Sequence, residues 1–113
     1  LKIKEAVEIV HKLRPDIIID GEMQADTAVT PHMLDHQYPF SNIKGSANVL
    51  VFPNLESANI AYKLMANLGQ STVIGPILIG MNKPIHVLQR GATVDEIINM
   101  TAIAVVEANH KNK

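Results

Sequence analysis

Apolar residues fall at helical spacing from the first residues onward. In LKIKEAVEIVHKLRPD, Ile3, Ala6, Val7, Val10 and Leu13 share one side of a helix, and Arg14-Pro15 stops the pattern. Nothing before Leu1 offers a helix cap or a starting methionine, so the chain is expected to begin within a longer protein. The period then changes. DIIIDG is a short β-branched run closed by Asp20-Gly21, which predicts a strand buried on both faces, as in parallel sheets. Thr30-Pro31 supplies a cap and a first-turn proline for a short helix through about Gln37, and YPFSNIKGS reads as a surface loop.

The second half repeats the alternation. ANVLVFP predicts another buried strand, and Pro53-Asn54 leads into LESANIAYKLMANLG, where Asn54 caps, Glu56 complements the positive helix end and Gly69 closes. Ile60, Leu64 and Leu68 are expected on its core face. STVIGPILIG predicts a third strand, broken at Gly75-Pro76, and KPIHVL a fourth. A long helix follows from about Val94 to Asn109. The order α-β-α-β-α-β-β-α, with apolar strands between helices, predicts one α/β domain: a mostly parallel sheet with helices on both faces. In the last helix Ile97, Ile98, Met100, Ala102, Ile103, Val105 and Val106 leave no broad polar face. Part of its cover is expected from outside these 113 residues, from a dimer partner or from more of the domain.

Composition removes whole classes of function. With 113 residues and 47% hydrophobic content, the chain can bury a core. Ten basic against eleven acidic side chains leave a net charge of -1, with no field to gather nucleic acid or an anionic membrane. The absence of cysteine excludes disulfides, thiolate metal sites and cysteine nucleophiles. No run approaches the roughly 20 apolar residues of a membrane span, and the cytoplasm is the expected compartment.

The stretch IHVLQRGATVDEI concentrates the candidate chemistry. Thr93 and Glu96 have the spacing of a capping box, in which hydroxyl and carboxylate satisfy the first amides of a helix. The same segment also fits an anion site. Exposed amides at Gly91 to Val94, the positive helix end and Arg90 could converge on a phosphate or carboxylate, with Gly91 admitting the ligand close to the backbone. Spacing alone leaves both readings open. Asp20, Glu22 and Asp26, in DGEMQAD, follow a predicted strand end, where carboxylates bind hydroxyl or cationic groups or simply serve turns and caps. His32 and His36 stand four apart but lack a convincing third ligand, so no metal site is expected. His86 reads as a strand residue with a satisfied ring nitrogen. No G-x-G-x-x-G, P-loop or G-x-S-x-G element occurs.

DGEMQADTA, ANVLVFPNLESANIAYKLMANLG, IGPILIGMNKPIHVL and ATVDEIINMTAIAVVEA together resemble the carboxyl-terminal half of the phosphate acetyltransferase and butyryltransferase family. Within it, YPFS, NIAY and NMTAIAVVEA are most similar to the phosphotransacetylase-like module of bacterial NADP-dependent malic enzymes. The resemblance implies a three-layer, isocitrate/isopropylmalate dehydrogenase-like α/β/α fold, with residues 1–113 as its final portion, and a homodimer. It also implies that NADP and a divalent magnesium or manganese ion serve the parent enzyme's oxidative decarboxylation of malate, in domains outside this segment.

In the family a Ser-Arg-Gly element and an aspartate occupy the positions of Gln89, Arg90, Gly91 and Glu96; the resemblance implies that serine and arginine hold the coenzyme A thiol and acyl phosphate, and that the aspartate acts as base. Here Arg90 and Gly91 match. Gln89 replaces a hydroxyl with an amide, and Glu96 extends the carboxylate by one methylene, about 1.5 Å. These departures lead us to expect a binding site rather than acyl transfer: Arg90, Gly91, Gln89 and Glu96, with Asp20 and Glu22, around acetyl-coenzyme A or coenzyme A as effector. An active phosphate acetyltransferase is the alternative.

Overall fold

The computed structural model describes residues 2–69 and 72–111. Among the described residues five helices form: α1 (Lys2–Leu13), α2 (Ala25–Val29), α3 (Pro31–Gln37), α4 (Leu55–Leu68) and α5 (Val94–Lys111). They belong to two compact units, Leu1–Ala61 and Tyr62–Lys113. No helix among the described residues is long and apolar enough to cross a membrane.

Local signals set the helix ends. The helix α1 stops before Pro15, its last turn closed by Arg14 N donating to the Val10 carbonyl at 2.7 Å, and Arg14 then forks onto Asp16 through Nε and Nη2 at 2.8 and 2.6 Å. Proline at the first position of α3 costs no intrahelical bond, because that amide has no partner in any helix. The amide of Ser57 donates to Asn54 Oδ1 at 2.8 Å, so Asn54 caps α4 as its position predicts. Gly69 closes the same helix by donating to the Met65 carbonyl at 2.9 Å.

The predicted parallel sheet is absent: among the described residues no strand forms. The segments read as strands, DIIIDG, ANVLVFP, STVIGPILIG (whose Ser71 lies outside the described residues) and KPIHVL, run as irregular backbone. Their apolar residues face solvent, with Ile18 69%, Val51 82% and Ile79 81% exposed. The β-branched side chains stiffen a segment locally, whereas a strand exists only when a neighbour accepts and donates its backbone hydrogen bonds. No such neighbour is present among the described residues. The α/β reading, and with it the isocitrate/isopropylmalate dehydrogenase-like arrangement, is therefore corrected to an all-helical one.

In the first unit the core is small and partly polar. Thr27, Ala28, Leu34 and Ser41 are buried where α2 packs on α3. Thr27 Oγ1 donates to Gln37 Oε1 at 3.2 Å, Ser41 Oγ accepts from the Ile43 amide at 3.1 Å, and the Ala47 amide donates to the Ala28 carbonyl at 2.8 Å. The five-residue α2 was not anticipated, since its acids read as turn residues. Gly21 holds a φ of +145°, and a Cβ there would lie 3.4 Å from Ile3 Cγ2 on α1, so this corner is built for glycine.

In the second unit Met100 on α5 is buried, while Ile97, Ile98, Val105 and Val106 are exposed. The absence of a polar face on α5 thus appears as exposed apolar surface. On α4 the half-buried positions are Ser57, Ala58, Ala61, Tyr62 and Ala66, and none is fully buried. Ile60, Leu64 and Leu68, expected to face the core, are exposed instead.

Candidate functional site

The turn at residues 89–92 leads directly into α5. Its closing bond runs from the Ala92 amide to the Gln89 carbonyl at 3.1 Å. The capping box then forms as its spacing predicts. Glu96 Oε2 accepts from the Thr93 amide at 2.6 Å and from Thr93 Oγ1 at 3.0 Å, while Thr93 Oγ1 accepts from the Glu96 amide at 3.3 Å. Two of the amides considered for an anion, those of Ala92 and Thr93, are therefore engaged within the chain. The bond from the Thr93 amide, followed by that from its hydroxyl, holds the Glu96 carboxyl below the ordinary glutamate range.

A shallow cleft of about 150 Å³ opens beside this turn. Gln89, Ala92 and Glu96 line it, together with Tyr62, Lys63 and Asn67 of α4. Arg90 and Gly91 are exposed at the turn and are not among the lining residues. A Cβ on Gly91 would meet no atom within 4 Å, so the backbone there is open to approach.

On the α4 side, Tyr62 Oη donates to the Gly75 carbonyl at 3.3 Å, and the Lys63 ammonium lies 5.8 Å from the centroid of the Tyr62 ring. The side-chain amide of Asn67 donates to the Lys63 carbonyl at 2.7 Å. The cleft thus carries one cation, one carboxylate and three neutral polar groups. Tyr62, Lys63 and Asn67 escaped the sequence reading because no local motif marks them. Their only trace was the i, i+4 spacing of Lys63 and Asn67 on a predicted helix.

The remaining candidates are dispersed. Asp20 and Glu22 lie in the first unit, whereas Gln89, Arg90, Gly91 and Glu96 lie in the second. Asp20 Oδ1 accepts from the Gly21 amide at 2.8 Å, and Asp26 Oδ1 from the Thr27 amide at 2.8 Å, as turn and helix-start carboxylates do. His32 and His36 are exposed on α3, and no group of three potential ligands that could hold a metal occurs among the described residues. The side chain of His86 is 4% exposed, with Nε2 3.3 Å from Glu107 Oε2. Neither ring nitrogen makes a hydrogen bond of good geometry, so this contact with Glu107 stands in place of the satisfied nitrogen expected from the sequence.

The pattern of the family described as "Phosphate acetyl/butaryl transferase" matches residues 1–105. The chain is 49% identical to a phosphate acetyltransferase of Clostridium acetobutylicum over 107 residues, which are 95% of this chain and 32% of that protein. It is 44% identical to an NADP-dependent malic enzyme of Escherichia coli over 108 residues, 95% of this chain and 14% of that enzyme. An NAD-dependent malic enzyme of Rhizobium meliloti is 40% identical over 109 residues, 96% of this chain and 14% of that enzyme. The chain therefore spans a minor part of the length of each of these relatives.

Proposed function

Because the chain belongs to the phosphate acetyl/butyryl transferase family, we propose that it is the phosphotransacetylase-like regulatory module of a cytoplasmic NADP-dependent malic enzyme. In this reading it binds acetyl-coenzyme A at the corner of Gln89, Arg90, Gly91 and Glu96, and assembles as a homodimer. Malate oxidation, with its NADP and divalent metal, belongs to the rest of that enzyme.

The state of Glu96 carries the proposal. A general base works best with a pKa near the operating pH and a free lone pair aimed at the substrate proton. Here the carboxylate is drawn onto its own helix end by Thr93 at 2.6 and 3.0 Å, and its pKa is lowered. Gln89 presents an amide where the family chemistry uses a hydroxyl. Both features favour holding a ligand over transforming it. An effector can act on a distant active site only by favouring one of two arrangements of the assembly.

The test is calorimetry with acetyl-coenzyme A on the full-length protein, with malate oxidation followed in parallel. Charge-assisted hydrogen bonds are worth about 1.5 to 3 kcal/mol, so Arg90→Ala is expected to weaken binding about tenfold or more and to relieve inhibition to match. Unchanged affinity would return Arg90 to the status of a solvated side chain. A second reading, an active phosphate acetyltransferase, is favoured by the 49% identity to the clostridial enzyme. Formation of acetyl phosphate from acetyl-coenzyme A, abolished by Arg90→Ala, would establish it.

A further inference from the structure

Arg90 stands outside the cleft beside the turn, and among the described residues lining that cleft Lys63 is the one with a positive charge. We propose that Lys63 is the group that selects an anionic ligand there, with Tyr62 as its positioning residue. The inference rests on the reading of this corner as a ligand site, and adds a residue on α4 to it.

Three observations support the assignment. First, size: at about 150 Å³ the cleft has room for a phosphate or an acetyl group. Second, charge: Glu96 also lines the cleft, its carboxyl held below the ordinary glutamate range by Thr93, and by itself would repel an anion. An anion is favoured where a cation offsets that field, and among the described lining residues Lys63 is that cation. Third, placement: a lysine on a helix surface ordinarily samples many rotamers, and a ring beneath the ammonium restricts them. The Tyr62 ring, 5.8 Å from Lys63 Nζ, is itself anchored by its hydroxyl on the Gly75 carbonyl at 3.3 Å. The segment around Gly75 thus fixes the ring, and the ring biases the ammonium.

The experiment measures affinity for acetyl phosphate and for inorganic phosphate on the full-length protein, at low and moderate salt, in the wild type and in Lys63→Gln, Lys63→Arg, Tyr62→Leu and Arg90→Ala. Lys63 is exposed, so its replacement leaves packing intact. Lys63→Gln is expected to weaken both ligands about tenfold and to flatten the salt dependence, while Lys63→Arg restores most of the affinity. Tyr62→Leu should give a smaller loss, of about threefold, with the salt dependence retained. A merely structural role for Lys63 would not produce that salt signature or the rescue by arginine. If Lys63→Gln binds as tightly as the wild type while Arg90→Ala does not, the inference is overturned and the proposed function stands. If the wild type binds neither these anions nor acetyl-coenzyme A, both fall together.

Discussion

The contact of α2 with α3 and the surface of α5 use hydrophobic residues in opposite ways. The first two helices are 5 and 7 residues long, yet Leu34 between them is 1% exposed. The third is 18 residues long and apolar on nearly every side, yet Met100 is its one residue in the buried class among those described. Hydrophobicity does not separate the two. What does is whether neighbouring backbone closes over the side chain, as residues 38–47 do over α2 and α3 through bonds at Ser41 and Ala47. Burial is a property of partners, and the apolar content of α5 measures only its capacity for one.

Leu34→Ala tests this contrast most severely. It should cost about 2 to 5 kcal/mol in denaturant unfolding, whereas Ile98→Ala on the exposed side of α5 should cost under about 0.5. Equal costs would mean that α5 is covered in solution. The next largest effect concerns assembly. The 113-residue chain alone is expected to sediment as a dimer or larger species, and Ile98→Glu with Val106→Glu should return it to a monomer. A monomeric wild type would show that this surface recruits nothing.

Smaller effects lie at the helix ends. Asn54→Ala should cost about 1 kcal/mol because Oδ1 accepts from Ser57, while Thr30→Ala before α3 should cost less, since no side-chain bond is made there. The pair is checked by thermal unfolding of both variants. At the start of α5, the folded-state pKa of Glu96 is depressed. Its contribution is then fully present above the unfolded glutamate value of about 4.3 and is lost as pH falls through the folded value. Helicity followed by circular dichroism between pH 6 and 3 should show this loss in the wild type and not in Glu96→Gln.

Signals confined to a few residues were legible in the sequence. Pro31, the cap at Asn54, the closure at Gly69 and the Thr93–Glu96 capping box all lie where spacing put them, because each bond joins residues within about one turn. The four apolar runs were misread as strands, because pairing is decided by distant neighbours that the run itself does not encode. The face of α4 was misjudged for a related reason: Ile60, Leu64 and Leu68 are the more hydrophobic set, yet they are exposed while Ala58, Ala61 and Ala66 are half-buried. Of the candidate site, Gln89 and Glu96 reach the cleft, while Lys63, more than twenty residues away in sequence, had nothing local to announce it.

The chain contains two tyrosines and no tryptophan, and one tyrosine falls in each compact unit. Tyrosine emission is therefore not drained by transfer to an indole, and the two halves can be told apart spectroscopically. Tyr38, whose ring lies 5.6 Å from that of Phe40, reports on the loop after α3. Tyr62 reports on the cleft from within. A Tyr38→Phe protein would glow from the cleft alone, so a single fluorescence trace could follow the unfolding of residues 62–113 and the arrival of a ligand without any added dye.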